Sequence, residues 1–485
     1  MTGDRMEKES GTKGGPKVEL AAALARVLTE RVAGYRSLQT CERLSGGASQ
    51  ETYRVVIETD DGPRKLAMRR APGGTKYSFS GAGPGLPTEA KLLGAARAAD
   101  VPEPAILYVF EERDGLGDGF LMEWLEGETL GARITRAPEL DAIRPQLARQ
   151  CGEVLARIHA IDVRAGGLAD VLQPRTPEQL VRETWELYQA YGTPQPMIDF
   201  AARWLLEHLP PASPPRLVHG DFRNGNLMIS AERGIVAVLD WELAHLGDPM
   251  RDLGWLCTNS WRFGRSELPV GGFGTVDDLL AGYASVSGVA VDPDHVKFWI
   301  VFGSFWWAVG CLSMAQFYRL GVDKSVERPT IGRRSSECQV DCVNLLIPGP
   351  VEEPARETKE STLDMPRANE MLTSVRDFLR NDVMSGTTGR TNFLARVAAN
   401  SLDIVLRELE LGPAHRIREQ QGLERILGHA GDLETLRWEL VRALRDGSMP
   451  LDRSGLADHL RQTVVTQVAI DQPQYSGYRA ALGKD

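Results

Sequence analysis

Apolar residues at Leu20, Leu24, Val27 and Leu28 recur at the three-to-four spacing of one helix face, predicting a helix over 19–32. Two runs of strand-forming residues follow, 51–58 and 64–69. The turn sequence TDDG joins them as a hairpin. Residues 71–87 are rich in Gly and Pro and read as a loop. Thr88 then offers a cap for the helical stretch EAKLLGAARAA. VPEPAILYVF and GFLMEWLEG predict two more strands, so the first 125 residues are mainly strands around one helix.

From about 137 the periodicity turns helical, with helices expected over 143–160, 178–190 and 197–208. A strand-rich segment interrupts at 217–242, and helices resume from about 275 to 346. The uncharged run at 298–318 is long enough to span a bilayer. It is isolated, holds Gln316 and two serines, and lacks a flanking basic cluster, so it reads as the buried helix of a large domain. Residues 348–366 are rich in Pro and charge and read as a linker. Beyond them, Leu394, Val397, Ala398, Leu402, Val405 and Leu409 mark one helix face. Leu433, Leu436, Leu440 and Leu444 mark a second, and Leu456, Leu460, Val464 and Val468 a third. These predict a separate all-α bundle over 367–485. The leader 1–18 is polar and lacks an apolar signal-peptide core, which predicts disorder.

Composition adds exclusions. The chain has 485 residues, 42% hydrophobic and 25% charged, as expected of a globular protein. A net charge of −10 without a Lys/Arg run argues against nucleic acid or anionic membrane as the main partner. Six scattered cysteines, with only Cys338 and Cys342 close in sequence, read as reduced thiols and a cytoplasmic location rather than a zinc site. No G-x-S-x-G, Walker G-x-x-x-x-G-K-[ST] or H-E-x-x-H occurs.

The chemistry concentrates in LVHGDFRNGNLMISAERGIVAVLDWE, 217–242. Read as a hairpin centred on Arg233, it sets Asn226 opposite Asp240, with Cβ atoms ~5 Å apart. An amide oxygen and a carboxylate at that separation can share Mg²⁺, which takes oxygen ligands and keeps waters and substrate phosphates. Asp221 stands on the loop entering the hairpin, beside the metal. A carboxylate to deprotonate a hydroxyl, with metal ligands for nucleotide phosphates, is the layout of a phosphotransferase. HGDFRNGN has the spacing of the kinase catalytic loop, and DWE takes the place of D-F-G.

These motifs resemble the aminoglycoside phosphotransferase and choline kinase-like family. The resemblance implies an α+β, two-lobed protein-kinase-like fold, with a strand-rich N-lobe over 19–125 and a helical C-lobe over 126–347. It implies ATP and Mg²⁺ as cofactors, Asp221 as catalytic base, Asn226 and Asp240 as Mg²⁺ ligands, and Arg223 facing the γ-phosphate. His219 would brace the loop. LSGGASQETYRV would supply the phosphate-binding loop, with Gly46, Gly47 and Ser49. Arg69 in KLAMRRAP stands where the family carries Lys, with Glu89 as its helix partner. Met122, Glu123 and Leu125 would form the adenine-binding hinge. Asp248 and Asp252 in GDPMRDLGW would fix loops by hydrogen bonds. RRAP, HGDFRNGN and DWELAHLGDP are most similar to the branch containing the kinase-like domain fused to acyl-CoA dehydrogenases, which implies a hydroxyacyl-CoA or hydroxy acid as acceptor. VAANSLDIVLRELELGP resembles a helical domain of unknown function, read as a module that docks a partner or a second subunit. Two other readings stand beside an active small-molecule kinase: a non-catalytic nucleotide-binding scaffold, and an antibiotic phosphotransferase.

Overall fold

A computed structural model describes residues 16–44, 50–72, 85–165, 167–354 and 365–484. The described residues open with α1 (Pro16–Arg31), whose first three positions fall within the expected leader, and run into β1 (Tyr35–Arg43), β2 (Glu51–Thr59) and β3 (Gly62–Arg70). α2 (Leu86–Ala98), β4 (Ile106–Val109) and β5 (Gly119–Glu123) complete the N-lobe, whose antiparallel sheet has the order β1-β2-β3-β5-β4. β1 was not legible in the sequence because it is an edge strand with no buried residue, so its polarity never alternates. α2 starts two residues ahead of Thr88, on Gly85 and with Pro87 in its first turn, so Thr88 is not its cap. Leu24, Leu28, Val55, Ile57, Leu66 and Met68 form the small core beneath this sheet.

The C-lobe comprises α3 (Gly131–Ile134), α4 (Leu147–His159), α5 (Pro177–Ala190) and α6 (Pro196–Glu207), then β6 (Arg216–Val218), β7 (Leu227–Ser230), β8 (Gly234–Val238) and β9 (His245–Gly247). It continues with α7 (Met250–Cys257), α8 (Val276–Ser287), α9 (Pro293–Arg319), α10 (Glu327–Arg333) and α11 (Ser335–Leu346). β6 pairs with β9, and β7 with β8, so the polar loop 219–226 is held between two short ladders. α9 is long and apolar enough to cross a membrane. Phe298, Trp299, Phe302 and Phe305 on it are buried in the C-lobe core, between α7 and α11. Cys338 and Cys342 are buried on α11, and all six cysteines are free.

After residues 355–364 of the expected linker, which lie outside the described residues, come α12 (Ala368–Phe378), a π-helical turn (Leu379–Val383) and α13 (Met384–Gly386). α14 (Gly389–Leu427), α15 (Leu433–Asp446), α16 (Leu456–Asp471) and α17 (Ser476–Ala481) follow. This part is helical, as expected, but it shares a buried core with the C-lobe instead of enclosing one of its own. α15 packs on α6, and α16 and α17 pack on α11. Polar ties reinforce the junction: Arg445 Nε lies 2.8 Å from buried Asp199, and Tyr475 Oη donates to Asp341 at 2.6 Å. The first predicted face of α14 is corrected: Val405 and Leu409 are exposed, and Ala395 and Ala399 are buried in their place. Periodicity finds an apolar stripe, but small residues decide where helices approach closely.

Candidate active site at the lobe junction

The loop after β6 is fixed from below. Asp252, one turn into α7, is fully buried. Its carboxylate accepts the backbone N–H groups of His219 (2.8 Å) and Gly220 (2.9 Å), with His159 Nε2 at 3.1 Å. Burial alone would raise the Asp252 pKa, but these hydrogen bonds and nearby cations hold it down at about 2. Arg251 donates to the Gly220 carbonyl at 3.0 Å. Gly220 has φ +83° and backs against the Leu243 carbonyl, a place with no room for a side chain. His219 is buried against Trp241 and Phe222, and its Nδ1 accepts the Asp221 N–H at 3.1 Å. Burial lowers its pKa, so it is a neutral brace for the loop.

Asp221 is thereby presented at the lobe junction with both oxygens engaged. Oδ1 accepts from Trp255 Nε1 (2.8 Å) and Arg223 Nε (3.0 Å), and Oδ2 from Asn226 Nδ2 (2.6 Å). Arg223 lies over the Trp261 ring at 4.1 Å, and Trp261 and Trp255 in turn meet Trp307 and Trp306. The tryptophan wall was missed in the sequence. Its available signal was GDPMRDLGW, where Trp255 follows Asp252 by three residues, one turn along the same side of α7.

The hairpin register corrects one expectation. β7 pairs Leu227 with Val238, and a bulge lies between Met228 and Ile229. Asn226 therefore faces Leu239, whose N–H it binds at 2.7 Å, and not Asp240. The turn centres on Glu232, with Ser230 opposite Gly234, and not on Arg233, and the bulge makes up only one of the two positions by which this shifts the partners. Asp240 instead follows the strand in a left-handed conformation, φ +71° and ψ 65°, unusual for a residue with a side chain. Its Oδ1 accepts from Arg69 Nη2 at 2.6 Å. Arg69, on β3, also places Nε 3.1 Å from Glu89 Oε1 on α2, an ion pair whose angle falls short of a hydrogen bond. One guanidinium thus joins β3, α2 and the segment that follows β8. Burial raises the Glu89 pKa to about 7 against the pull of Arg69. The two carboxylates outweigh burial at Arg69 and keep its guanidinium charged.

At the hinge, β5 ends at Glu123, whose N–H binds the Ala105 carbonyl at 2.9 Å and whose side chain accepts the Ala105 N–H at 3.2 Å. Met122 is still paired in the sheet, with Ala67 and Ile106. Leu125 follows in extended chain that belongs to no strand, which leaves its backbone outside the ladder. Gly46, Gly47 and Ser49 lie outside the described residues.

Among the described residues no three His, Cys, Asp or Glu side chains gather as a metal cluster. The available donors are oxygens of a mixed pair. The Asn226 amide nitrogen is committed to Asp221, which leaves its Oδ1, and Asp240 gives only Oδ1 to Arg69, which leaves Oδ2. That set fits a hard cation whose remaining ligands are water and phosphate.

Comparison with known proteins agrees with this geometry. Residues 40–289 match the profile of the phosphotransferase enzyme family, and residues 385–475 match a domain of unknown function, DUF6285. Acyl-CoA dehydrogenase family member 10 of Mus musculus is 33% identical over 221 residues, 44% of this chain and 19% of that protein. Acyl-CoA dehydrogenase family member 11 of Gallus gallus is 27% identical over 267 residues, 51% of this chain and 32% of that protein. The chain therefore spans a third or less of these two relatives. The crystal structure of a protein assigned as an aminoglycoside phosphotransferase, from Ralstonia eutropha, superposes with TM-score 0.53 and 23% identity, covering 66% of this chain and 95% of that one. The fold is thus that of a two-lobed kinase-like protein carrying a helical C-terminal part, and the chain belongs to the phosphotransferase enzyme family.

Proposed function

We propose that the protein is a small-molecule kinase that transfers the γ-phosphate of ATP to a substrate hydroxyl. The observation that carries this reading is the convergence of Asp221, Asn226, Asp240, Arg69 and Glu89, from both lobes, at one junction. Asp221 accepts the proton of the acceptor hydroxyl, and Trp255 and Asn226 fix the direction of its carboxylate. Arg69 holds nucleotide phosphate bidentately, in place of a lysine. Arg223 lies beside Asp221 and offsets charge on the transferring group. Asn226 and Asp240 would hold Mg²⁺, which when bound neutralises the nucleotide phosphates. The backbone at Glu123 and Leu125, next to Met122, would receive adenine, and Gly46, Gly47 and Ser49 would cover the phosphates.

The acceptor reading follows from the walls around Asp221. They are indoles and one guanidinium, Trp255, Trp261 and Arg223. A neutral or anionic alcohol with an apolar body suits them, such as a hydroxy acid or hydroxyacyl-CoA. A polycationic antibiotic does not. Five buried free thiols fit a reducing cytoplasm. One observation favours a second reading, the nucleotide-binding scaffold: Arg69 already occupies one oxygen of Asp240.

The test is phosphoryl transfer from Mg-ATP to a panel of hydroxyacyl-CoAs, hydroxy acids and aminoglycosides, read by product mass, with Asp221→Asn as control. Product lost in the variant supports the kinase. Mg-ATP binding by calorimetry without product from any acceptor supports the scaffold.

A further inference from the structure

Between the C-lobe and the C-terminal helices lies a cavity of about 550 Å³, bordered by a second of about 610 Å³. Neither shares a residue with the lobe junction. The two have one common wall, made of His415 and Glu419 on α14 and His459 and Thr463 on α16. His415 and Glu419 are one turn apart, so they face the same way. Gly422, a turn further on, has no side chain, and the His459 ring fills that space.

One buried polar group at this wall, His415 Nε2, is left unmet. Glu419 is clamped by the Arg437 fork, with both contacts at 2.5 Å. Asp471 lies 2.7 Å from Arg333, which also holds Glu408. Asp458, on the second cavity, lies 2.9 Å from Arg461, while Glu352 there and Glu434, in the first turn of α15, are exposed. Arg416 and Arg418 meet Glu408 and Glu352 at 3.9 Å, and Arg425 makes no ion pair among the described residues. His415 is 7% exposed, and its Nε2 is buried without a hydrogen-bond partner. A buried ring nitrogen left unmet is costly unless a ligand or water meets it. The His459 ring has no hydrogen bond among the described residues either. Burial holds both imidazoles neutral, with His459 down at about 4, and Arg416, Arg418, Arg425 and Arg437 add to that effect while only Glu419 opposes it.

We propose that this wall is a binding site for a small oxyanion-bearing metabolite, its phosphate or carboxylate seated between His415 and His459 and its body lying along Met197, Leu460 and Val464. An oxyanion supplies the acceptor that His415 Nε2 lacks and gives Arg425 an acidic neighbour. Arg333 of the C-lobe also lines the first cavity, so the ligand touches both parts of the chain.

The experiment is calorimetry on the full chain with inorganic phosphate and, separately, citrate, at pH 7.5 in two buffers of different ionisation heat. The expected result is saturable binding of at least one probe with net proton uptake, because the anion draws protons onto the imidazoles. His415→Gln with His459→Gln should abolish the uptake. Arg425→Glu, an exposed change that spares the fold, should weaken binding by about tenfold or more. Arg69→Ala should leave it unchanged, which separates this site from the nucleotide cleft. Which probe binds tells phosphate from carboxylate. No saturable binding of either, binding unaffected by Arg425→Glu, or binding lost in Arg69→Ala overturns the proposal.

Discussion

Asp252 touches neither nucleotide nor acceptor in the proposed site, yet the loop presenting Asp221 hangs from it. Replacing it with Asn keeps the shape and removes the charge. Two buried backbone N–H groups, at His219 and Gly220, then compete for one amide oxygen, and the new NH₂ group points at a donor. The scale follows from the carboxyl itself. Its folded pKa is about 2 against an ordinary 3.8, which corresponds to roughly 2–3 kcal/mol of stability. Breaking a buried charged network from one side adds the desolvation of the stranded partners, so the expected loss at pH 7 is about 3–5 kcal/mol. The sign with pH is fixed. A depressed carboxyl stabilises fully above its unfolded value, and that stability is lost as pH falls from about 4 through about 2. Urea unfolding, followed by tryptophan fluorescence and circular dichroism, measures the loss. Hydrogen exchange at the His219 and Gly220 amides locates it. An Asp252→Asn protein within about 1 kcal/mol of the wild type, with those amides still protected, would refute the argument.

Three further outcomes follow from the same geometry. Asp221→Asn should cut phosphoryl transfer by about 10²–10⁴-fold with little change in melting temperature, since it removes the base and leaves the Asp252 tether intact; steady-state kinetics beside calorimetry check both. Gly220→Ala forces a side chain into a left-handed site facing the Leu243 carbonyl, and should cost about 1–3 kcal/mol by urea unfolding together with most of the activity. Glu89 binds its proton more tightly folded than unfolded, so it lowers stability as pH rises from about 4.5 through 7. Glu89→Gln should flatten that part of the melting-temperature profile, and an unchanged profile would dismiss the assignment.

The loop residues proposed to do or to brace the chemistry were legible because such chemistry constrains spacing. His219, Asp221, Asn226 and Asp240 sit at fixed intervals around two strands, whatever packs beneath them. Supports from other elements were not. Asp221 is aimed by Trp255, which lies 34 positions later in the chain. The Asn226–Asp240 pairing failed on the turn, which centres on Glu232 and not on Arg233, a difference that the composition of AERG does not reveal. The C-terminal helices were visible as helices, but their stripes did not say that they would share the C-lobe core. A stripe of leucines specifies that something apolar covers it and carries no information about which surface does so.

The same distinction explains the departure at Arg69. A lysine at this position would meet its partners from a single nitrogen, as a compact point charge. The arginine places Nη2 at 2.6 Å from Asp240 and Nε at 3.1 Å from Glu89 together, so a single side chain ties the sheet, α2 and the residue after β8 into one assembly. That clamp ends on Asp240, the residue in the left-handed conformation. It also sets a condition on catalysis. Asp240 must share its carboxylate between the guanidinium and a cation, or Arg69 must turn from it to the phosphates. Arg69→Lys separates these cases. If sharing suffices, Lys leaves turnover near the wild-type value and loosens only nucleotide binding. If Arg69 must turn away, Lys frees Asp240 and raises turnover. The scaffold reading predicts that neither residue yields product.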